Sequence, residues 1–146
     1  MNKKLFGTRF VRILCAVLIS ALGILAAACG SKKQAVDMTA DGDVTVVGEG
    51  STVFTFQMKD ADGKVFEWEV HTDEKTVGEA LLKVGLIEGD PGEYGIYVKK
   101  VNGIEADYDK DQAYWAFYVD GEYGMSAADL TEIEAGKVYA FVYEKG

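Results

Sequence analysis

Two short stretches of alternating hydrophobic residues, separated by a turn, constrain the fold of this chain more than any other feature. The alternating residues are Phe54, Phe56 and Met58 before the turn and Phe66, Trp68 and Val70 after it. Successive side chains of a strand point to opposite faces of a sheet, so each stretch places its large residues on one face. Because Asp60-Ala61-Asp62-Gly63 between them is rich in turn-forming residues, the sequence predicts a β-hairpin.

The hydrophobic period changes after this hairpin and indicates one helix. Thr76 and Glu79 form a capping box, in which both side chains accept hydrogen bonds from the free amides of a helix start. The apolar residues that follow at helical spacing are Val77, Ala80, Leu81 and Val84. Gly85 fits the left-handed position after a helix end, so we predict one main helix over about residues 76–85.

The second half of the chain is again strand-like. The predicted strands run over Tyr94–Val101, Tyr114–Val119 and Val138–Tyr143, with turns at Asn102-Gly103 and Asp120-Gly121. Strands, one helix and then more strands indicate an α+β fold. A β-grasp-like mixed sheet, which wraps a single helix, fits this order better than a sandwich, which has no place for the helix.

The N-terminal residues have the pattern of an export signal. Basic residues precede an uncharged run, Ile13 to Ala28, that is shorter than the roughly 20 residues of a membrane-spanning helix. Small residues then precede Cys29, as in a lipobox. We therefore expect a lipoprotein signal peptide over residues 1–28, a lipidated Cys29 with a tether over residues 29–43, and one domain over residues 44–146. The lipid would anchor the chain to the outer face of the cell membrane, an extracytoplasmic location.

Charge and residue types exclude several classes of function. Removal of the signal leaves 11 basic and 24 acidic residues, a formal net charge of −13, which argues against nucleic acid as a partner. Cys15 would leave with the signal, so the mature chain has neither a disulfide nor a second thiol for catalysis or metal binding. The single histidine, His71, is expected to be an exposed strand residue, and no serine lies in a nucleophile elbow. We therefore do not expect an enzyme.

Three alternating aspartates, Asp107, Asp109 and Asp111, resemble the first ligands of a calcium loop. An EF-hand needs Gly at the sixth position and Glu at the twelfth, where this chain has Gln112 and Tyr118. A solvated loop is therefore the default interpretation. We predict no metal site and keep the three aspartates as weak candidates.

Aromatic residues are concentrated in the second half of the chain. They are Tyr94, Tyr97, Tyr108, Tyr114, Trp115, Phe117, Tyr118, Tyr123, Tyr139, Phe141 and Tyr143. In an alternating strand Trp115 and Phe117 share one face, whereas Tyr114 and Tyr118 share the other, so both faces cannot be ordinary surface. Either one face meets a ligand or partner, or one packs on the helix and the other carries surface tyrosines.

Four segments in a fixed order carry a family resemblance. They are Val98–Ile104 with its Asn-Gly turn, Tyr114-Trp115-Ala116-Phe117, Gly121–Ser126 and Gly136–Phe141. This order resembles the C-terminal domain of the transcobalamin and intrinsic-factor family, known in bacteria as the transcobalamin-like or DUF4430 domain. The similarity covers about residues 50–144, and the resemblance implies a β-grasp-like domain.

The resemblance also implies a ligand. In the animal carriers this domain closes over one face of cobalamin with apolar side chains and loop backbone, and Val98, Phe117 and Met125 fall where those carriers touch the corrin. Trp115 is either a fourth contact or a core anchor. The carriers hold cobalamin between this domain and a helical barrel that is missing from this sequence. The resemblance therefore implies either weak binding or the help of a surface or transporter protein.

The leading hypothesis from the sequence is an extracytoplasmic ligand-binding lipoprotein for cobalamin, another corrinoid or a similar flat amphipathic molecule. One alternative is a metal-cation-binding surface module that uses the acidic loops. Another is a protein-interaction or adhesion module, in which the aromatic face is the interface. Cobalamin would be a bound ligand in the leading hypothesis, not a resident cofactor.

Overall fold

The computed structural model describes residues 38–146, whose strands form two sheets. The elements are β1 Thr45–Gly48, β2 Thr52–Lys59, β3 Val65–Thr72, α1 Val77–Lys83, β4 Ile87–Gly92, β5 Gly95–Val101, β6 Ile104–Glu105, α2 Tyr108–Asp111, β7 Ala113–Val119, β8 Glu122–Tyr123, a 3₁₀ turn Ala128–Leu130 and β9 Val138–Lys145. The large sheet has the strand order β1-β3-β2-β9-β7-β8, and the small sheet has the order β4-β5-β6. The predicted signal peptide, Cys29 and residues 30–37 of the predicted tether lie outside the described residues.

The predicted hairpin is present as β2 and β3. The two strands pair antiparallel along their whole length, from Thr52 opposite Thr72 to Lys59 opposite Val65. Phe54, Phe56 and Met58 are buried, as the alternation predicts. Their side of the large sheet is called the core face below, and the opposite side is called the back face.

Two parallel pairings make the large sheet mixed. Strand β9, from the end of the chain, lies in the middle of the sheet and pairs parallel with β2 and antiparallel with β7. Strand β1 pairs parallel with β3. The α+β class, the mixed sheet and the single main helix are therefore confirmed, whereas the β-grasp arrangement stays a prediction.

Helix α1 begins and ends where the sequence signals predict. The Thr76 hydroxyl accepts the Glu79 N–H, and the Glu79 carboxylate accepts the Thr76 N–H, both at 3.3 Å. The helix ends at Lys83, and Gly85 has a φ of +74°. A helix this short gains its stability from packing, and the side chains that it buries in the common core are Val77, Ala80 and Leu81.

The small sheet contains a strand that the sequence pattern did not reveal. Strand β4 includes Gly89, Asp90, Pro91 and Gly92, residues that are rare in strands, and it pairs with β5 around an irregularity after Glu88. The turns at Asn102-Gly103 and Asp120-Gly121 are as predicted, with positive φ at all four residues. These turns connect β5 to β6 and β7 to β8.

The chain reaches the back face before the predicted domain boundary at residue 44. The Gln57 side chain, on the back face, donates a hydrogen bond to the Met38 carbonyl at 3.0 Å. Asp41 and Val65 exchange two hydrogen bonds of 2.9 and 2.8 Å. Among residues 38–146, no helix combines the length and the apolar character that crossing a membrane requires.

Candidate ligand-binding cleft

A cleft of about 410 Å³ lies between β5, β7 and the loop that follows β8. The residues that line it are Tyr94, Ile96, Tyr97, Val98, Tyr114, Trp115, Phe117, Tyr123, Gly124, Met125, Ser126, Ala127, Ala128 and Phe141. None of these side chains carries a charge at neutral pH, although the chain is acidic, with a formal net charge of −9. The cleft therefore presents an apolar and aromatic surface with a few hydroxyl groups.

All four residues that the family resemblance offers as ligand contacts line this cleft. Val98 comes from β5, Trp115 and Phe117 come from β7, and Met125 lies in the loop after β8. The first three are buried, with 7 to 8% of their surface exposed, whereas Met125 is 98% exposed. Val98, Trp115 and Phe117 therefore form the floor, and Met125 stands at the rim.

Phe117 is held on three sides. Its ring is stacked with Tyr139, at 6.3 Å between centroids and 3° between planes, and lies 5.2 Å from the ring of Phe141. The backbone of Gly124 covers it so closely that a Cβ at this position would lie 2.7 Å from the Phe117 ring. The Gly124 N–H also donates to the Phe117 carbonyl at 2.8 Å. The loop is thereby fixed to the cleft floor at its first residue.

Trp115 has a structural role as well as a place in the cleft. Its indole Nε1–H donates to the Ile104 carbonyl at 3.1 Å, and its ring meets Tyr143 edge-on at 5.4 Å. The hydrogen bond links β7 of the large sheet to β6 of the small sheet. Trp115 is therefore a core anchor that also lines the cleft.

The far end of the loop is tied to the opposite wall of the cleft. The Asp129 carboxylate accepts the Ile96 N–H of β5 at 2.9 Å, and the 3₁₀ turn is closed by the Leu130 N–H donating to Ala127. The loop is thus anchored at Gly124 and again at Asp129. Met125 lies between these anchors, on the part of the loop most open to solvent.

Exposed tyrosines surround the mouth of the cleft. Tyr94 is 83% exposed, and Tyr97 and Tyr123 are each about half exposed. Tyrosine is concentrated in this half of the chain, but no sequence pattern indicated that these three lie at the site. Only the folded arrangement brings Tyr94 and Tyr97 of the β5 region next to Tyr123 of β8.

The back face of β7 carries a polar cluster. The Tyr114 hydroxyl donates to one oxygen of the Glu144 carboxylate at 2.9 Å, and the Tyr118 hydroxyl donates to the other. Burial, followed by the hydrogen bond to Glu144, raises the pKa of Tyr118 well above its usual range. For Tyr114 the hydrogen bond to Glu144 is the main cause of a raised pKa. Glu144 thereby orders both tyrosines.

One of the three candidate aspartates has a structural role. Asp107 caps α2, because its carboxylate accepts the N–H groups of Asp109 and Lys110 at 2.9 and 3.2 Å. These hydrogen bonds, above all the one from the Lys110 backbone, hold the pKa of Asp107 below its usual value. Within residues 38–146, no three His, Cys, Asp or Glu side chains are grouped so that they could hold a metal ion. His71 pairs with Glu69 at 2.7 Å on the hairpin.

Two solved structures share this fold. A protein from Ruminococcus gnavus ATCC 29149, described as a "putative metal binding protein", is 29% identical with a TM-score of 0.62, and the match covers 66% of this chain and 99% of that chain. Haptocorrin in complex with Cbi, which is cobinamide, is 15% identical with a TM-score of 0.55, and the match covers 68% of this chain. This chain matches only 26% of haptocorrin. No curated protein matches the sequence.

The family match covers the half of the chain that builds the cleft. The family described as "Domain of unknown function (DUF4430)" matches residues 74–145. The match begins just before α1 and includes β5, β7, β8 and the loop that carries Met125. The resemblance seen in the sequence began earlier, at about residue 50. Because the family match begins at residue 74, the β2–β3 hairpin lies outside it. Over residues 74–145, this chain is therefore similar to the DUF4430 family.

Proposed function

We propose that this chain is an extracytoplasmic ligand-binding lipoprotein that captures a corrinoid, such as cobalamin or cobinamide, or a similar flat amphipathic molecule. The observation that carries the proposal is the convergence of Val98, Trp115, Phe117 and Met125 in one cleft without charged side chains. Lipidation at Cys29 would hold the domain at the outer face of the cell membrane. The proposal includes no catalytic step.

The composition of the cleft supports a ligand with a large apolar face. Small-molecule sites are mostly apolar, with a few polar groups that fix orientation. Here Val98 and Phe117 supply the apolar floor, and the tyrosine hydroxyls and Ser126 supply neutral polar groups. Met125 has a flexible side chain that adapts to irregular ligand surfaces. A flat macrocycle with a polar periphery satisfies both requirements.

The comparisons support the same class of ligand. Haptocorrin, which shares the fold, is a cobinamide-bound protein, but most of its length has no counterpart in the match. A cleft that contacts one face of a ligand leaves the other face in solvent. We therefore propose that this domain binds alone with modest affinity and that a surface or transporter protein completes the site.

The proposal is tested by titrating residues 30–146 with cobinamide and with cobalamin. This fragment keeps the whole core, because the core residues lie between Val47 and Tyr143. Corrin absorbance and tryptophan fluorescence report binding, since Trp115 lines the cleft. We expect a saturable change in both signals. No change up to roughly millimolar ligand, where the binding free energy is only about −4 kcal/mol, would overturn the proposal.

A pair of exposed residues provides the matched variants. Met125→Ala removes a side chain at the rim of the cleft and should weaken binding without loss of stability, since Met125 is 98% exposed. Leu130→Ala is the control, because Leu130 is 60% exposed and does not line this cleft. Equal affinities for the two variants would show that the ligand binds elsewhere.

A second candidate function is a cation-binding surface module. The observation that favours it is the similarity to the Ruminococcus gnavus protein, which is matched over 99% of its length. Calorimetry with calcium and zinc on chelator-treated protein tests this candidate, and a flat heat trace would remove it. If heat is released, a double substitution of Asp109→Asn and Asp111→Asn, which leaves the α2 cap at Asp107 in place, shows whether the acidic loop is the site.

A further inference from the structure

Within residues 38–146, four strands lie at the edges of the two sheets, and they differ in their protection against pairing with another chain. The edge strands are β1 and β8 in the large sheet and β4 and β6 in the small sheet. Strands β6 and β8 have only two residues each. Strand β4 is longer, but it contains Pro91, which has no N–H to donate, and its pairing is irregular after Glu88. These three edges are therefore poor templates for a further strand.

Strand β1 lacks these forms of protection. Its sequence, Thr45-Val46-Val47-Gly48, contains no proline and no charged residue, and its pairing with β3 is regular over all four residues. Val46 is 62% exposed, and Val44, just before the strand, is 48% exposed. Exposed β-branched side chains at a sheet edge favour the addition of another strand, because they fit a pleated surface. The outer side of β1 is called the open edge below.

The hydrogen bonds of β3 show which backbone groups of β1 point outward. The N–H and C=O of Val65 both bond to Asp41, at 2.8 and 2.9 Å, on the side of β3 that faces β1. This side alternates along the strand, so Glu69 also points its N–H and C=O to β1. In a parallel pair the bonds are slanted and reach the neighbours of the opposite residue, which is Val46. The N–H and C=O of Val46 itself therefore point out of the sheet.

A cavity of about 240 Å³ lies beside the start of β1. Its lining includes the rings of Phe66 and Trp68, which are stacked with their centroids 6.3 Å apart. The Lys64 ammonium nitrogen lies 4.9 Å from the centroid of the Phe66 ring. Aromatic faces attract cations, and Lys64 shows that this cavity accepts one.

Negative charge surrounds both the cavity and the open edge. Lys64 is the only basic residue that lines the cavity, whereas three carboxylates line it. Two more acidic residues lie along the strand, one opposite Val46 on β3 and one just after Gly48. The five acidic residues are Asp41, Asp43, Glu49, Glu67 and Glu69. The surface around β1 is therefore complementary to a basic partner.

We propose that the open edge of β1 binds an extended, basic segment of another protein, which joins the large sheet as a further strand. The N–H and C=O of Val46 pair with the main chain of this segment. The cavity beside β1 receives a lysine or arginine side chain. In strand addition, main-chain hydrogen bonds supply affinity and pockets for side chains supply specificity. A second copy of this chain is a poor occupant, because it brings its own acidic residues against those around β1.

The open edge is separate from the ligand-binding cleft. Three strands lie between β1 and β7 in the large sheet, and neighbouring strands are about 4.8 Å apart, so the two strands are roughly 19 Å apart. The match to the DUF4430 family begins at residue 74 and does not include β1. A partner on β1 leaves the cleft open. The inference therefore goes beyond the proposed function and does not rest on it.

The first experiment is calorimetry of residues 30–146 with a peptide of about six residues in which lysine and valine alternate. The matched peptide has glutamate in place of lysine. We expect the basic peptide to bind saturably and at least about tenfold more tightly than the acidic one. Equal binding of the two peptides, or binding of neither up to about millimolar peptide, would overturn the inference.

A pair of charge variants locates the binding surface. Asp43→Lys places a positive charge at the cavity and should weaken binding of the basic peptide by about tenfold. Glu122→Lys makes the same change of net charge on β8, at the opposite edge of the large sheet, and should change the affinity by about twofold or less. Equal effects of the two variants would show that only the net charge matters and would overturn the site.

The second experiment follows backbone hydrogen exchange by NMR. In the free protein we expect the Val46 amide to exchange faster than the Val47 amide, which bonds to β3. The basic peptide should slow exchange at Val46 by about tenfold or more and leave Val47 unchanged. Equal protection of the two amides in the free protein would overturn the open edge.

A proline variant tests the main-chain pairing directly. Val46→Pro removes the outward N–H and leaves the hydrogen bonds between β1 and β3 in place, so it should weaken peptide binding by about tenfold. Val46→Thr keeps the N–H and a β-branched side chain and is the control. Equal affinities of the two variants would contradict strand addition.

Light scattering distinguishes a basic partner from a second copy of the chain. We expect both the parent protein and Val46→Pro to be monomers. A dimer that is lost in Val46→Pro would overturn the basic partner and identify a second copy as the occupant. Saturating cobinamide should leave peptide affinity unchanged, since the cleft is at the other side of the sheet. Failure of cobinamide to bind would overturn the proposed function alone.

Discussion

The two hairpins of the large sheet have the same connectivity but opposite consequences for the sheet. Strands β2 and β3 pair along eight residues each, so every edge group between them is used. Strand β8 pairs with only two residues of β7, and the chain then leaves the sheet to form the loop that carries Met125. The long hairpin closes the sheet and supports the core, whereas the short one lets the chain leave the sheet and form one wall of the cleft.

The aromatic rings follow the same division. In the β2–β3 hairpin the Trp68 ring lies 5.5 Å from that of Phe56 and 6.3 Å from that of Phe66, so these rings pack on one another. Near the β7–β8 hairpin, Tyr94 and Tyr123 are exposed around the cleft. Aromatic residues thus stabilise one hairpin and line the mouth of the cleft at the other.

The largest expected difference between the hairpins is in core stability. Phe56→Ala should lower the free energy of unfolding by about 3–5 kcal/mol, because Phe56 is fully buried between the rings of Trp68 and Phe141. Phe117→Ala should cost less, because the space that it leaves opens onto the cleft and admits water. Urea unfolding of both variants measures the difference. An equal loss for Phe117→Ala would mean that the cleft floor is as closed as the hairpin core.

Alanine substitutions at two turn glycines distinguish an effect on stability from an effect on binding. Gly63, in the β2–β3 turn, and Gly121, in the β7–β8 turn, have φ of +83° and +81°, and neither has a neighbour that would clash with a methyl group. Alanine at either position should cost about 1–2 kcal/mol through backbone strain. Only Gly121→Ala should also weaken ligand binding, because it disturbs the hairpin that positions the loop. A comparable loss of affinity in Gly63→Ala would contradict this separation.

The tyrosines on the back face of β7 predict a pH dependence of the stability. The pKa of Tyr118 is raised in the folded chain above the ordinary value of 10.0, by burial and by the hydrogen bond to Glu144. Its contribution to stability is therefore complete below pH 10 and is lost as the pH rises above that value. We expect about 1 kcal/mol, since the site is partly open to solvent. Urea unfolding at pH 8 and pH 11 should show a smaller decline for Tyr118→Phe than for the parent chain.

The smallest effect is expected on the back face of the β2–β3 hairpin. His71 and Glu69 form an ion pair at 2.7 Å, but both side chains are substantially exposed. His71→Ala should change the free energy of unfolding by about 0.5 kcal/mol or less, as is usual for surface pairs. It should leave ligand affinity unchanged, because His71 does not line the cleft. A clear loss of affinity in this variant would show that the ligand binds at the β2–β3 hairpin and not at the cleft.

Local signals in the sequence predicted the single elements of the fold more reliably than they predicted which strands pair with one another. The capping box at Thr76 and the turn at Asp120-Gly121 depend on residues close in sequence, so they could be identified directly. Strand β4 was missed because Gly89 and Pro91 oppose strand formation, and only pairing with β5 accounts for it. The parallel pairing of β9 with β2 joins distant segments and leaves no local trace.

The candidate site shows the same limit. Val98, Phe117 and Met125 were named through a family resemblance, and the concentration of tyrosines pointed to the half of the chain that builds the cleft. No sequence pattern indicated that Gly124 would cover the Phe117 ring or that Asp129 would bind the Ile96 amide. The position of Met125 at the rim of the cleft depends on where β8 ends, which is set by the path of the loop through the folded domain.

The hydrogen bond from Gln57 to Met38 determines the side from which the chain enters the domain. Met38 is held on the back face of the large sheet, whereas Phe117 and the rest of the cleft floor belong to the core face. A chain that begins at residue 44 would therefore lose these back-face contacts, including the two hydrogen bonds between Asp41 and Val65, and would keep the residues of the cleft floor. Trimming the start of the domain is thus expected to lower its stability and to leave the cleft in place.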